Sequence, residues 1–280
     1  MRHSFTFFVL LALSFACKNE AVKPIVPLPN PLDKLPKDTG GNHLAFPLGS
    51  NESPYGYYLY TPSAYTDTGP KFPLLIFLHG ADAIGNSRDT AANLDKVLMA
   101  GPPQLIHDSK WSPKYPMVVA TPQCHWGWWA YDSIRLFINL MRTKYQVDTT
   151  RVYLTGLSMG GFGTYDQITL FGKNSYLAAA VSVSGAGTVS PEMIRNAAQV
   201  PFWAFHGEKD TIVDPGFDIE INRAINNLHP TAEHKLTLFP GVGHDAWTQT
   251  YNSTGIGHED PSYDAFEMDI YTWMLQYKRE

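Results

Sequence analysis

The sequence predicts an α/β fold, a doubly wound and mostly parallel sheet in a single domain. Three observations point there. Short, continuous apolar runs recur along the chain, as in Phe72 to Leu78, which is the pattern of strands buried on both faces. Stretches between these runs carry apolar residues at helical spacing. Glycine-rich turns follow several of the runs, where a strand hands over to a helix. The length of 280 residues suits one such domain. A chain with 44% hydrophobic and only 17% charged residues does not have the composition of a disordered one.

Arg2 and His3 make a short basic start, and the apolar run Phe5 to Ala16 follows. That run is shorter than the roughly 20 residues needed to cross a membrane and matches the apolar segment of a secretory signal. It ends Leu13-Ser14-Phe15-Ala16-Cys17, which resembles a bacterial lipoprotein signal. Residues 1–16 are therefore expected to be removed and Cys17 to carry lipid. Cys17-Lys18-Asn19-Glu20 is similar to the short signal that sends some lipoproteins to the outer surface. The expected location is the bacterial outer membrane or cell surface; an ordinary signal cleaved near Ala16, with a periplasmic or secreted product, is the alternative. With Cys17 lipidated, Cys124 is the one thiol left, and an intramolecular disulfide is excluded.

Residues 17–41 contain Pro24, Pro27, Pro29, Pro31 and Pro36 and few apolar anchors, the composition of an extended tether. An arm packed on the domain over Ile25 to Leu35 is the alternative. In the expected domain, 42–280, Tyr55–Tyr60 reads as an early strand and Phe72–Leu78 as a buried one. Met117–Thr121, Val152–Thr155, Ala178–Val183, Phe202–Phe205 and Lys235–Phe239 repeat the strand pattern. In Ser133–Tyr145, Ile134, Phe137, Ile138 and Met141 form one apolar helix face. Alternation of this kind implies a doubly wound sheet, and ligands bind such sheets beyond the carboxyl ends of the strands.

Four strand ends carry chemistry. Gly156-Leu157-Ser158-Met159-Gly160 follows Val152–Thr155 and precedes a helix, the context of a nucleophile elbow, whose tight turn needs small residues beside the serine. After Phe202–Phe205 comes His206-Gly207-Glu208-Lys209-Asp210, where Asp210 is the candidate acid that holds a histidine; Asp214 is its rival. After Lys235–Phe239 comes Gly241-Val242-Gly243-His244-Asp245, where His244 is the candidate general base, with His258 the alternative. Finally, Leu78-His79-Gly80-Ala81 ends the first buried strand. The backbone N–H groups of Ala81 and Met159 are the candidate oxyanion donors, and His79 is read as ordering the loop rather than moving protons. His206, Glu208 and Asp210 are read as a strand-end loop, not a metal site.

These elements, in this order, resemble the α/β-hydrolase superfamily, in its esterase and predicted-peptidase branch of dienelactone hydrolases, phospholipase/carboxylesterases and prolyl oligopeptidases. The resemblance spans about 45–280 and is densest from Val147 to Gly161, with Phe205 to Asp210 and Gly243-His244-Asp245-Ala246-Trp247 also fitting. Pro122-Gln123-Cys124 with Trp128-Trp129 is similar to a family segment lining the cleft. The oxyanion loop departs from the family: relatives often read His-Gly-Ala-Gly-Glu-Arg-Gly, whereas Asp82-Ala83-Ile84 stands here between Ala81 and Gly85. The resemblance implies a serine esterase acting through an acyl-enzyme on Ser158, His244 and Asp210, with no cofactor and no metal.

The spacing between Ser158 and Asp210 leaves no room for a large lid, which favours an open cleft and soluble esters. Trp128, Trp129 and Trp247 are candidate substrate contacts, offering flat faces to a sugar or phenolic acid, as in acetyl or feruloyl esters of plant polysaccharide. The expected partner is a small-molecule or oligosaccharide ester, with membrane contact only through the lipid. With 21 Lys and Arg against 26 Asp and Glu, a net charge of −5 carries no footprint of nucleic-acid binding. A prolyl-oligopeptidase-like peptidase and a non-catalytic surface-binding lipoprotein are the other readings.

Overall fold

The computed structural model describes residues 30–188 and 190–280. The expected signal, the Cys17 expected to carry lipid and the first part of the expected tether lie outside the described residues.

Among the described residues, eight strands form one sheet: β1 (Gly41–Phe46), β2 (Gly56–Pro62), β3 (Phe72–Leu78), β4 (Val118–Gln123), β5 (Val147–Leu157), β6 (Ala179–Val183), β7 (Phe202–Gly207) and β8 (His234–Phe239). Their spatial order is β1-β2-β4-β3-β5-β6-β7-β8. β2 pairs antiparallel with both β1 and β4, and every later pairing is parallel. The helices are α1 (Gly101–His107), α2 (Tyr131–Lys144), α3 (Met159–Phe171), α4 (Pro191–Ala197), α5 (Gly216–Asn226), α6 (Trp247–Tyr251) and α7 (Ile270–Met274).

Strand side chains alternate between two cores, as a pleat requires. Leu74, Ile76 and Leu78 of β3 join the core under α2, α3, α4 and α5, where Ile134, Phe137, Ile138 and Met141 form the buried face of α2. Leu75 and Phe77 join the opposite core, with Ile106 of α1, Tyr251 of α6 and Trp273 of α7. Helices on both faces of the sheet make the fold doubly wound.

One strand leaves no mark in the sequence, and the tether expectation meets a correction. The run 41–46 forms an edge strand, β1, that has no apolar pattern because it is largely exposed. The described end of the proline-rich stretch is not a free tether: Leu32 is buried among Tyr60 and Met117, and the hydroxyls of Tyr115 and Tyr60 donate to Asp33 and Asp38. Over 30–41 the chain packs on the domain, held by the apolar side chains of Leu32 and Leu35 and by two tyrosine–carboxylate bonds.

Candidate active site

The ends of β3, β5, β7 and β8 converge on one cleft of about 490 Å³, lined by Ala81, Ser158, Ile212, His244 and Trp247 among others. Ser158 sits in the turn from β5 to α3 at φ 50° and ψ −119°, a conformation that L-residues adopt only under strain of about 1–3 kcal/mol. Close packing holds it there. A Cβ on Gly156 would lie 2.2 Å from the Gly160 carbonyl oxygen, and one on Gly160 would lie 1.9 Å from that of Leu78. The Ser158 N–H donates to Val183 O at 2.9 Å, tying the turn to β6.

Ser158 Oγ lies 2.9 Å from His244 Nε2, and His244 Nδ1 lies 2.6 Å from Asp210 Oδ2. His244 is carried by the loop after β8, and Ser184 Oγ donates to its carbonyl oxygen at 2.8 Å. Its ring meets Trp247 edge-on, with centroids 5.1 Å apart. Asp210 is 7% exposed, and its other oxygen accepts the N–H groups of Ile212 and Val213 at 2.8 and 3.0 Å. Burial pushes its carboxyl up, but the His244 and backbone hydrogen bonds outweigh it and hold the group below its ordinary range. An ionised Asp210 fixes the Nδ1–H tautomer of His244 and leaves Nε2 free to take the serine proton.

The rival residues do other work. Asp214 is exposed and caps its own turn by accepting the Gly216 N–H at 2.8 Å, and His258 lies exposed on the loop after α6. Glu208 accepts the Gly241 N–H at 2.9 Å.

Ala81 opens a short 3₁₀ turn, Ala81–Ala83, so the altered Asp82-Ala83-Ile84 sequence still coils tightly beside Ser158. Met159 is the first residue of α3, where helix N–H groups have no partner within the helix. His79 is buried; its Nδ1–H donates to Gly80 O at 2.6 Å and its Nε2 accepts the Cys124 N–H at 2.9 Å. Burial lowers its pKa to about 4, so it is a neutral brace for the loop.

The three tryptophans part company. Trp247 lines the cleft. Trp129 does not: it is 1% exposed, donates to His79 O at 3.1 Å and stacks edge-to-face on Tyr55, so it is core and loop support rather than a substrate contact. Trp128 is half exposed against Phe162 and does not line the cleft. The segment Pro122-Gln123-Cys124 likewise supports the cleft from behind. Gln123 Nε2 donates to Ala83 O and Asn93 O at 3.1 and 2.5 Å, stapling the Ala81–Ala83 turn to the 3₁₀ segment Ala91–Met99.

Val97 and Met99 of that segment line the cleft, as do Leu157 and Ile212. Nothing in the pattern around 91–99 marks it as a wall. Beyond Trp247 the cleft meets a cavity of about 230 Å³ that includes Gln104, Thr248 and Asn252. That cavity shares Leu105, Lys110, Tyr251 and Asn252 with another, of about 420 Å³, at Trp111.

Comparison with known proteins gives a consistent likeness. The family model described as dienelactone hydrolase family matches residues 130–276. The bifunctional acetylxylan esterase/xylanase XynS20E of Neocallimastix patriciarum is 27% identical over 163 residues, covering 56% of this chain and 22% of that protein's length. The chain thus spans about a fifth of the curated relative it matches. A thermostable esterase superimposes with a TM-score of 0.56 at 21% identity, over 85% of this chain and 63% of its own. A mutant feruloyl esterase module from Clostridium thermocellum, complexed with sinapinate, gives 0.54 at 14% identity, over 81% and 87%. At these identities the two structures speak for the fold.

Proposed function

This chain belongs to the dienelactone hydrolase family, and from that premise we propose that it is a serine esterase acting on carbohydrate-linked carboxylic esters. The observation that carries the reading is the hydrogen-bonded line from Ser158 through His244 to the buried Asp210, opening into a cleft at the strand ends. Ser158 Oγ attacks the ester carbonyl as His244 Nε2 takes its proton. Asp210 stays ionised and stabilises the imidazolium. The N–H groups of Ala81 and Met159 meet the oxygen that becomes negative. Collapse of the tetrahedral intermediate transfers the proton from His244 to the departing alkoxide and leaves the acyl group on Ser158. Water, deprotonated by His244, then releases the acid.

The substrate class rests on two supports. One is the sequence relative named as an acetylxylan esterase/xylanase. The other is the chain of cavities running from Trp247 past Gln104 and Asn252 to Trp111, whose aromatic faces and amides suit a sugar chain on the alcohol side of the ester. Residues 1–16 are read as an export signal and Cys17 as the lipid site, so the enzyme would meet such substrates outside the cytoplasm.

Initial rates on acetylated and feruloylated xylo-oligosaccharides, measured beside p-nitrophenyl acetate, test the substrate. The proposal expects a higher kcat/KM on one oligosaccharide ester. Equal or lower values on both would remove the carbohydrate part and leave a generic esterase. Intact-mass analysis of the membrane-extracted protein tests the anchor: a lipid adduct at Cys17 is expected, and an unmodified chain starting there or elsewhere contradicts it.

A further inference from the structure

We propose that His206 is held as a standing imidazolium that braces and electrically balances Asp210 from behind, which makes it a positioning residue for the reaction proposed above, on which this role rests. The ring is fully buried at the end of β7. Its Nδ1 lies 2.6 Å from Asp218 Oδ2, and its Nε2 lies 3.0 Å from Val213 O and 3.1 Å from Asp210 Oδ2. Every one of these partners accepts and, with both carboxyls ionised, none donates. A neutral imidazole has one N–H, so its bare nitrogen would face lone pairs on one side or the other. The doubly protonated ring alone donates on both sides.

Asp218 is itself committed. It is fully buried on α5, and the Tyr165 hydroxyl donates to its Oδ1. Within α5 it shares the buried face with Ile221 and Ile225, an acid in a row of core residues. Among the described residues, the charged and titratable groups facing His206 are therefore Asp210 from its own loop and Asp218 from α5, with Tyr165 of α3 behind Asp218; from β8 the opposite residue is Leu238. Burial works against the charge on His206, yet the Asp218 and Asp210 carboxylates reverse that and raise its proton affinity.

The consequence reaches His244 through the shared oxygen. Asp210 Oδ2 accepts from both imidazoles. A positive ring on the far side offsets part of the negative potential that Asp210 presents to His244. It also fixes the carboxylate rotamer, because the two backbone N–H groups hold one oxygen and the two rings hold the other.

Nitrogen NMR of the histidine rings in the wild-type protein reads the charge directly. His206 is expected to keep protons on both ring nitrogens at neutral pH and above, with the signal assigned by its loss in His206→Gln. That variant retains an N–H donor toward Asp210 but not the charge. It is expected to move the acid limb of the kcat/KM–pH profile upward by about one unit, the scale of a nearby charge. A bare ring nitrogen on His206 at neutral pH overturns the proposal, as does an unmoved limb in a folded His206→Gln protein. The NMR result stands whether or not the protein hydrolyses esters. A doubly protonated His206 in a protein inactive on every ester would thus locate the failure in the esterase reading.

Discussion

Replacing Asp210 with Asn tests the wiring of the site more sharply than deleting it. Four donors surround the carboxylate: His244 Nδ1 at 2.6 Å and His206 Nε2 at 3.1 Å on one oxygen, and the N–H groups of Ile212 and Val213 at 2.8 and 3.0 Å on the other. Asparagine has one acceptor oxygen and one NH₂ group, so in either orientation its NH₂ confronts two donors. If NH₂ faces the rings, His244 must carry its proton on Nε2 and cannot accept that of Ser158. If it faces the backbone, two buried N–H groups lose their acceptor, at about 1–3 kcal/mol each. The first orientation keeps the loop intact and is the expected one. Its effect on kcat is a loss of about 10⁴-fold, or roughly 5 kcal/mol of barrier, as in other triads whose acid becomes an amide. The assay is steady-state hydrolysis of p-nitrophenyl acetate, with circular dichroism to show that the fold persists. A folded Asp210→Asn protein retaining more than a tenth of wild-type kcat would refute the role of Asp210.

Three other outcomes follow from the same geometry. Gly160→Ala forces a methyl group to within 1.9 Å of Leu78 O, and a loss of about 3 kcal/mol is expected, seen as a melting temperature lower by roughly 6–12 °C; a change under 2 °C would show that the turn relaxes freely. Trp129→Ala should cost about 3–5 kcal/mol in urea denaturation, while Trp128→Ala, at a half-exposed position, should cost under about 1 kcal/mol; equal losses would contradict the separation of the two rings. The pKa of Asp210 is depressed in the folded state, so its contribution is present above the ordinary aspartate value of 3.8 and is lost as pH falls through the lower folded value. Acid titration of stability should therefore fall more steeply below about pH 4 for wild type than for Asp210→Asn, and parallel curves would contradict the depressed pKa.

Much of the sheet was legible because its parallel strands are buried on both faces. Phe72–Leu78 stands as an unbroken apolar run, and the structure buries all of it. β1 left no such trace, since an edge strand with exposed side chains has no pattern to read. The candidate catalytic residues were legible because chemistry at strand ends demands glycines in tight turns, and those glycines punctuate the chain at 156, 160, 241 and 243. Trp129 misled because an indole near a cleft reads the same in sequence whether it faces a substrate or braces His79. The cleft wall at 91–99 was hidden, because a 3₁₀ segment stapled by Gln123 depends on contacts 30 residues away. Asp218 did leave a signal: a carboxylate at the buried register of an amphipathic helix needs a partner.

The proposed chemistry stands or falls with Ser158 as the nucleophile. Incubating the protein with a fluorophosphonate that phosphonylates activated serines, followed by peptide mass analysis, tests it most directly. A stoichiometric adduct on Ser158 alone is expected, formed in step with loss of ester hydrolysis, absent from Ser158→Ala and slowed in His244→Ala. Labelling at another serine, or esterase activity that survives complete modification of Ser158, would contradict it.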